Sequence, residues 1–317
     1  MNATHAMGRT PRRRRGAALR CMARYYQLYI VLFAAAIFYF VFSYIPMYGI
    51  TMAFRDFRFD TGLFGSPWAN PFFKYFRSFF TYYKCWEIIR NTLVINFFKL
   101  FLAFPIPIAF ALMIVNLKDG IFKRFVQSAS YLPNFVSWVV VVSILQQFFG
   151  LDSGLVNQLR VGMGLSPVFY MNDPDYFYPI MFLSHVWKSV GMGSIIYISA
   201  LMAIDPELYE AAQIDGANKL RQIWHITLPG IMRTAIVLFI MNLGGILSAG
   251  WDQIYFLVQP GNRGLSEILD TYVLQVGLRE GSFSYATAVS LFQGVIGLCL
   301  ILITNFVSKR LSDVSLF

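Results

Sequence analysis

Lys99, Lys188 and Asp252 interrupt long apolar runs of this chain. A charge placed in hydrocarbon is costly, so each marks either a path for a polar solute or a buried structural pair. Small and polar residues recur around them at helical steps. Asn242, Gly245, Ala249 and Asp252 form one such stripe, and Ser290, Gln293, Gly294 and Gly297 a second. Ser184, Lys188 and Gly191 form a third, with His185 beside it. Three- and four-residue steps put each stripe on one helix face. Read as cavity lining, Lys99, Lys188, Asn242, Asp252 and Gln293 make a polar wall of net positive charge that attracts anions. Read as packing, the small residues bring backbones together and a lysine pairs with Asp252.

Bond-making chemistry has no comparable support. The sequence holds neither a phosphate-cradling Gly-x-x-x-x-Gly-Lys-Ser/Thr nor a His-Glu-x-x-His pair. Gly191-Met192-Gly193 imitates the start of a nucleotide loop but lies inside an apolar run, where small residues serve close helix packing. Asp152, Asp173 and Asp175 share a Gly- and Pro-rich loop, and their spacing lacks the regular ligand pattern of a calcium loop. No metal site is expected. Cys21, Cys85 and Cys299 fall in different compartments of the expected topology, so no disulfide is expected either.

The polar residues need helices to hold them. Of the 317 residues 57% are hydrophobic and 13% charged, far from the roughly 45–50% and about 25% of soluble chains. Apolar runs at 28–50, 92–116, 126–149, 178–203, 234–256 and 285–307 come near the roughly 20 residues that cross a bilayer. Lipid offers a bare backbone no hydrogen bonds, so such runs must be helices. The sequence therefore predicts an all-α membrane protein of six transmembrane helices over 28–312, with a basic tail at 1–27 and a short tail at 313–317. Arg12 to Arg15, Lys118, Lys123, Arg124, Lys219, Arg221 and Lys309 bias one side, which places both termini in the cytoplasm.

The net charge of +10 fits this topology, with Arg12 to Arg15 anchoring on an anionic leaflet of membrane lipid. No folded basic face points to nucleic acid. The run from Leu28 to Tyr48 is too long for a cleaved signal and reads as a retained anchor. In the outer segment, the aromatic stretch Asn70 to Lys84 predicts an interfacial helix, and Pro105 and Pro107 predict a kink in the second span.

Asp205 to Pro229 is a polar island between two apolar runs. Asp205 can cap a helix with Pro206 in its first turn, and Gly216 can end it in a left-handed turn. Asn218 can cap a second helix through Lys219, Arg221, Trp224 and His225, ending before Pro229. The expectation is a helix–glycine–helix elbow on the cytoplasmic side.

Glu210-Ala211-Ala212, Gly216-Ala217, Ile226 and Leu228-Pro229 resemble the Glu-Ala-Ala loop of binding-protein-dependent ABC importer permeases. Asn91-Thr92, Tyr131-Leu132-Pro133, Trp251-Asp252-Gln253, Asp270-Thr271-Tyr272-Val273 and Ser284 to Ala288 are similar to its carbohydrate-uptake branch. The resemblance implies a type I, maltose-transporter-like permease fold with a cytoplasmic coupling helix. Glu210, Ala211, Ala212, Asp215, Gly216 and Ala217 would contact an ATPase. The implied partners are a second homologous permease subunit, two cytoplasmic ATPase subunits that bind ATP and Mg, an external solute-binding protein and an oligosaccharide. The chain itself is expected to hold no cofactor and to catalyse nothing, in a bacterial inner membrane. The positive cavity wall points to uronate-containing sugars such as alginate or pectin fragments. A neutral oligosaccharide or a non-sugar solute stays open, as does a gradient-driven secondary transporter. That last class favours inverted repeats and carboxylate relays, and only Asp252 offers an intramembrane carboxylate here.

Overall fold

The computed structural model describes residues 24–312, so the Arg-rich stretch, Cys21 and the tail 313–317 lie outside the described residues. Regular structure within them is helical apart from one isolated bridge between Arg55 and Trp68. Four helices are long and apolar enough to cross a membrane: Tyr26–Phe54, Cys85–Asn116, Lys219–Gly244 and Phe283–Arg310. Two further spans are bent pairs, Ile121–Phe135 with Trp138–Phe149 and Pro174–Met202 with Pro206–Ile214. Counting each pair once gives the six expected spans.

The fourth span, Pro174–Met202, is the hub. Met181 and Phe177 join Ile95, Val142, Ile254 and Ile268 in one core, while Tyr197 and Leu201 join Ala111 and Ile231 in another. Glycine makes the closest approach possible. A Cβ on Gly191 would collide with the Ser130 carbonyl, and one on Gly193 would press on Pro107, so Gly191-Met192-Gly193 is a packing element. The first span packs on the sixth through its end, Tyr48–Phe54, and has no buried residue before Ala53.

Three prolines inside spans follow widened turns rather than breaks. The N–H groups of Ile45, Phe104 and Leu228 reach back five residues to the carbonyls of Phe40, Lys99 and Ile223. Pro46, Pro105 and Pro229 follow at once. A proline cannot donate and its ring presses on the preceding turn, which the wider turn relieves. The second elbow helix therefore does not stop before Pro229, as the sequence suggested. It starts at Lys219 and runs through to Gly244 as the fifth span.

Two other expectations need correction. The third span is not one helix over 126–149, because its two halves meet at 104°. Leu132–Phe135 tightens into a short helical turn holding Pro133, Val136 is extended, and Ser137 opens a new helix. The fifth span does not reach 256. It ends at Gly244, and a short helix, Trp251–Leu257, follows a non-helical stretch. Hydropathy runs unbroken across that stretch, which is why the sequence hid it. The aromatic segment 70–84 does form a helix, Lys74–Thr81, whose Phe79 packs on Tyr272, Tyr285 and Phe292.

A polar cavity and an exposed elbow

The non-helical stretch Gly245–Gly250 is the centre of the candidate site. Backbone without helical partners is tolerated at membrane depth only where protein or a wet cavity satisfies it. Here side chains from three elements do so. Asn96 Nδ2 donates to the Ile246 carbonyl at 2.8 Å, Gln293 Nε2 to that of Leu247 at 2.7 Å, and Lys99 Nζ to that of Ala249 at 2.6 Å. Asp270 accepts from the Ala249 N–H at 2.8 Å and from the Ser248 hydroxyl at 3.3 Å, and its other oxygen accepts from Gln293 at 3.1 Å. Gly250 closes the stretch at φ +76°, a left-handed conformation that suits glycine.

Residues of this strap line two cavities. One of about 500 Å³ is lined by Asn96, Lys99, His185, Ser189, Asn242 and Ser248, among others. The other, about 390 Å³, is lined by Ser248, Asp270, Gln293, Gly294 and Gly297, among others. The larger has one ammonium on its wall, Lys99, and no carboxylate. At about 1.5 Å per residue, Lys99 lies roughly 21 Å along the span Cys85–Asn116, near the middle of that helix.

The structure thus brings Lys99, Asn242 and Gln293 to the strap and its cavities, leaves Asp252 beside the strap's end at Gly250, and takes Lys188 elsewhere. Asp252 is not on the Asn242 helix: it opens the short helix beyond Gly250, where its carboxylate accepts the Gln253 N–H at 3.0 Å. Among the described residues no ion pair involves Lys99, Lys188 or Asp252, so the alternative of a Lys–Asp bridge is not realised. The Lys188 ammonium fills the elbow of the third span. It donates to the carbonyls of Pro133, Asn134 and Val136 at 3.3, 2.8 and 2.6 Å, groups left over where the helix breaks, and lies 5.5 Å from the Trp138 ring. Lys188 is a fastening of the fold.

Asn96 and Ser189 were not among the expected cavity residues, and Asp270 entered only through the Asp270-Thr271-Tyr272-Val273 motif. Asp270 stood in an outer loop, and nothing local linked it to a stretch twenty residues earlier. The supporting shell was visible as motifs of unknown purpose. Asn91 Nδ2 donates to the carbonyls of Gly264 and Glu267 at 2.8 and 3.1 Å, and the Thr92 hydroxyl accepts the Leu269 N–H at 2.9 Å, which seats Asp270. Gln253, 1% exposed, donates to the Met181 carbonyl at 2.8 Å and so ties the short helix to the fourth span.

The second candidate feature is the elbow. The Asp205 carboxylate accepts the Glu207 N–H at 3.0 Å, Gly216 turns at φ +75°, and the Asn218 side chain accepts the Arg221 N–H at 2.9 Å. These are the caps expected from the sequence. Glu210, Ala211, Asp215 and Gly216 are exposed, whereas Ala212 and Ala217 are half-buried. Sequence reasoning passed over the apolar knob beside them, where Ile214 is 88%, Leu220 67% and Trp224 68% exposed. Exposed apolar groups at the end of a polar loop mark a contact surface. The Tyr209 hydroxyl sits 3.1 Å from that of Thr227, which fastens helix Pro206–Ile214 to the base of the fifth span.

Comparison with known proteins agrees with this architecture. Residues 103–313 match the family described as binding-protein-dependent transport system inner membrane component. Protein LplB of Bacillus subtilis is 38% identical over 290 residues, covering 92% of this chain and 91% of its own length. The polygalacturonan/rhamnogalacturonan transport system permease protein YteP of the same organism is 39% identical, covering 92% and 90%. Among solved structures, a chain of a bacterial alginate ABC transporter in complex with an alginate pentasaccharide-bound periplasmic protein superposes with a TM-score of 0.83. It is 34% identical, over 94% of this chain and 99% of that one.

Proposed function

The chain belongs to the family of binding-protein-dependent transport system inner membrane components. From that premise we propose that it is a permease subunit of an ATP-driven importer of oligosaccharides, and that those sugars carry uronate carboxylates. The observation that carries the reading is the cavity of about 500 Å³ beside the strap, walled by Lys99, Asn96, Asn242 and His185 without a carboxylate. Amide, imidazole and hydroxyl groups suit sugar hydroxyls. An ammonium between low-dielectric walls attracts a carboxylate more strongly than it would in water. Two of the relatives above handle acidic polysaccharides by name, polygalacturonan in one and alginate in the other.

The elbow would work as the lever. Cytoplasmic ATPase subunits, one on each of two paired permeases, would hold the knob of Ile214, Leu220 and Trp224 with Glu210 and Ala211. Because the elbow's second arm is the fifth span itself, its displacement travels along 26 helical residues, about 39 Å, to the strap at Gly245. Closure of the ATPases would shift the strap and open the cavity toward an external binding protein. ATP and Mg would belong to the ATPase subunits.

The test is ATP hydrolysis by the complete assembly with its binding protein, with ATP supplied on the elbow side. Trigalacturonate is expected to stimulate hydrolysis and maltotriose to leave it near the basal rate. Stimulation by the neutral sugar alone would favour a neutral oligosaccharide, and hydrolysis unaffected by any sugar would remove the substrate class altogether.

A further inference from the structure

At the end of the bundle remote from the elbow, between the fifth and sixth spans, lies a pocket of about 330 Å³ walled by Tyr255, Arg263, Glu267, Thr271, Tyr272 and Arg279. It shares no lining residue with either cavity at the strap. Its two guanidinium groups are only partly engaged. Arg263 donates to the Gln275 side chain at 3.3 Å and stands 4.0 Å from Glu267, with its own side chain 55% exposed. Arg279 donates to the Tyr255 hydroxyl at 2.6 Å and lies 5.7 Å from the centre of that ring. A guanidinium carries five N–H donors in a planar fork, so each arginine retains donors for a ligand. The one carboxylate on the wall, Glu267, is also held by the Lys84 ammonium at 3.4 Å, which leaves the pocket with a positive surplus.

A planar fork pairs best with a carboxylate, through two parallel hydrogen bonds. The Tyr255 ring offers an apolar face to the C–H side of a pyranose, and the Gln275 amide, bonded to Arg263 and to Glu280, holds the wall in place. The volume sits at the lower end of the range for small-ligand sites, which suits sugar units rather than a stretch of protein. We propose that this pocket is a second, outer binding site for a uronate-bearing oligosaccharide, with Arg263 and Arg279 taking sugar carboxylates before the sugar reaches the central cavity. The class of ligand rests on the acidic-substrate reading above.

Calorimetric titration of the complete assembly in nanodiscs, without binding protein, tests this with trigalacturonate and its methyl ester. The parent is expected to bind the acid and not the ester. The Arg263→Gln/Arg279→Gln variant, altered at two exposed side chains, should bind it at least about tenfold more weakly, and an Arg-to-Lys pair should weaken it less. Unchanged affinity in the double variant, with uronate-stimulated ATP hydrolysis intact in the parent, overturns the outer site alone. A parent that binds no trigalacturonate and shows no stimulation overturns both the site and the substrate class. A double variant that loses only sugar-free binding-protein docking would make the pocket a protein contact and also overturn the proposal.

Discussion

Losing the Lys188 ammonium would leave the carbonyls of Pro133, Asn134 and Val136 without their donor. An orphaned buried carbonyl costs about 1–3 kcal/mol, so Lys188→Ala is expected to destabilise the protein by at least about 2 kcal/mol. Sugar preference should not change. Thermal unfolding in detergent and ATP hydrolysis with each sugar separate the two effects, and a fully stable variant with altered preference would return Lys188 to the substrate path. Outside the spans, Asp56 accepts from Lys74 at 2.8 Å and Tyr75 at 2.6 Å, and these bonds, that of Lys74 foremost, hold its carboxyl below the usual carboxylate range. A depressed pKa contributes stability that is complete above the unfolded value, about 3.9, and is lost as pH falls through the lower folded value. The parent should therefore lose more thermal stability than Asp56→Asn on acidification below about pH 4. Parallel acid profiles of the two proteins would contradict this.

Elements were legible where their signals are local. Asp205, Pro206, Gly216 and Asn218 stand next to the turns they govern, so the elbow could be read from spacing alone. The break at Gly245–Gly250 could not, because the groups that stabilise it come from Asn96, Lys99, Asp270 and Gln293, all distant in the chain. Apolar run length likewise hid the bend of the third span, since Lys188 supplies its missing donors from another helix. The elbow carries the element-scale prediction. Gly216 holds φ +75°, which a β-branched residue adopts only at a cost of about 1–2 kcal/mol. Gly216→Val should lower binding-protein-stimulated ATP hydrolysis several-fold while membrane insertion and sugar binding persist. Full stimulation in that variant would remove the elbow from the coupling path.

For the whole molecule, composition and run length sufficed to give a membrane bundle of six spans, because lipid allows a spanning backbone so few solutions. What they could not give was the division of labour among its charges. Of the two lysines inside spans, one faces a cavity and one fastens a bend, and only three-dimensional packing separates them. The first span is nearly bare of buried residues. The central claim is that the cavity at the strap passes an acidic sugar under ATP control, with Lys99 as its anion-attracting group. Uptake of labelled trigalacturonate into proteoliposomes bearing the complete assembly, compared with maltotriose and with the Lys99→Gln variant, tests it most directly. The account predicts ATP-dependent uptake of the uronate over the neutral sugar, lowered at least about tenfold in the variant by loss of a charged contact. Uronate uptake that ignores ATP, or that proceeds undiminished in Lys99→Gln, would contradict it.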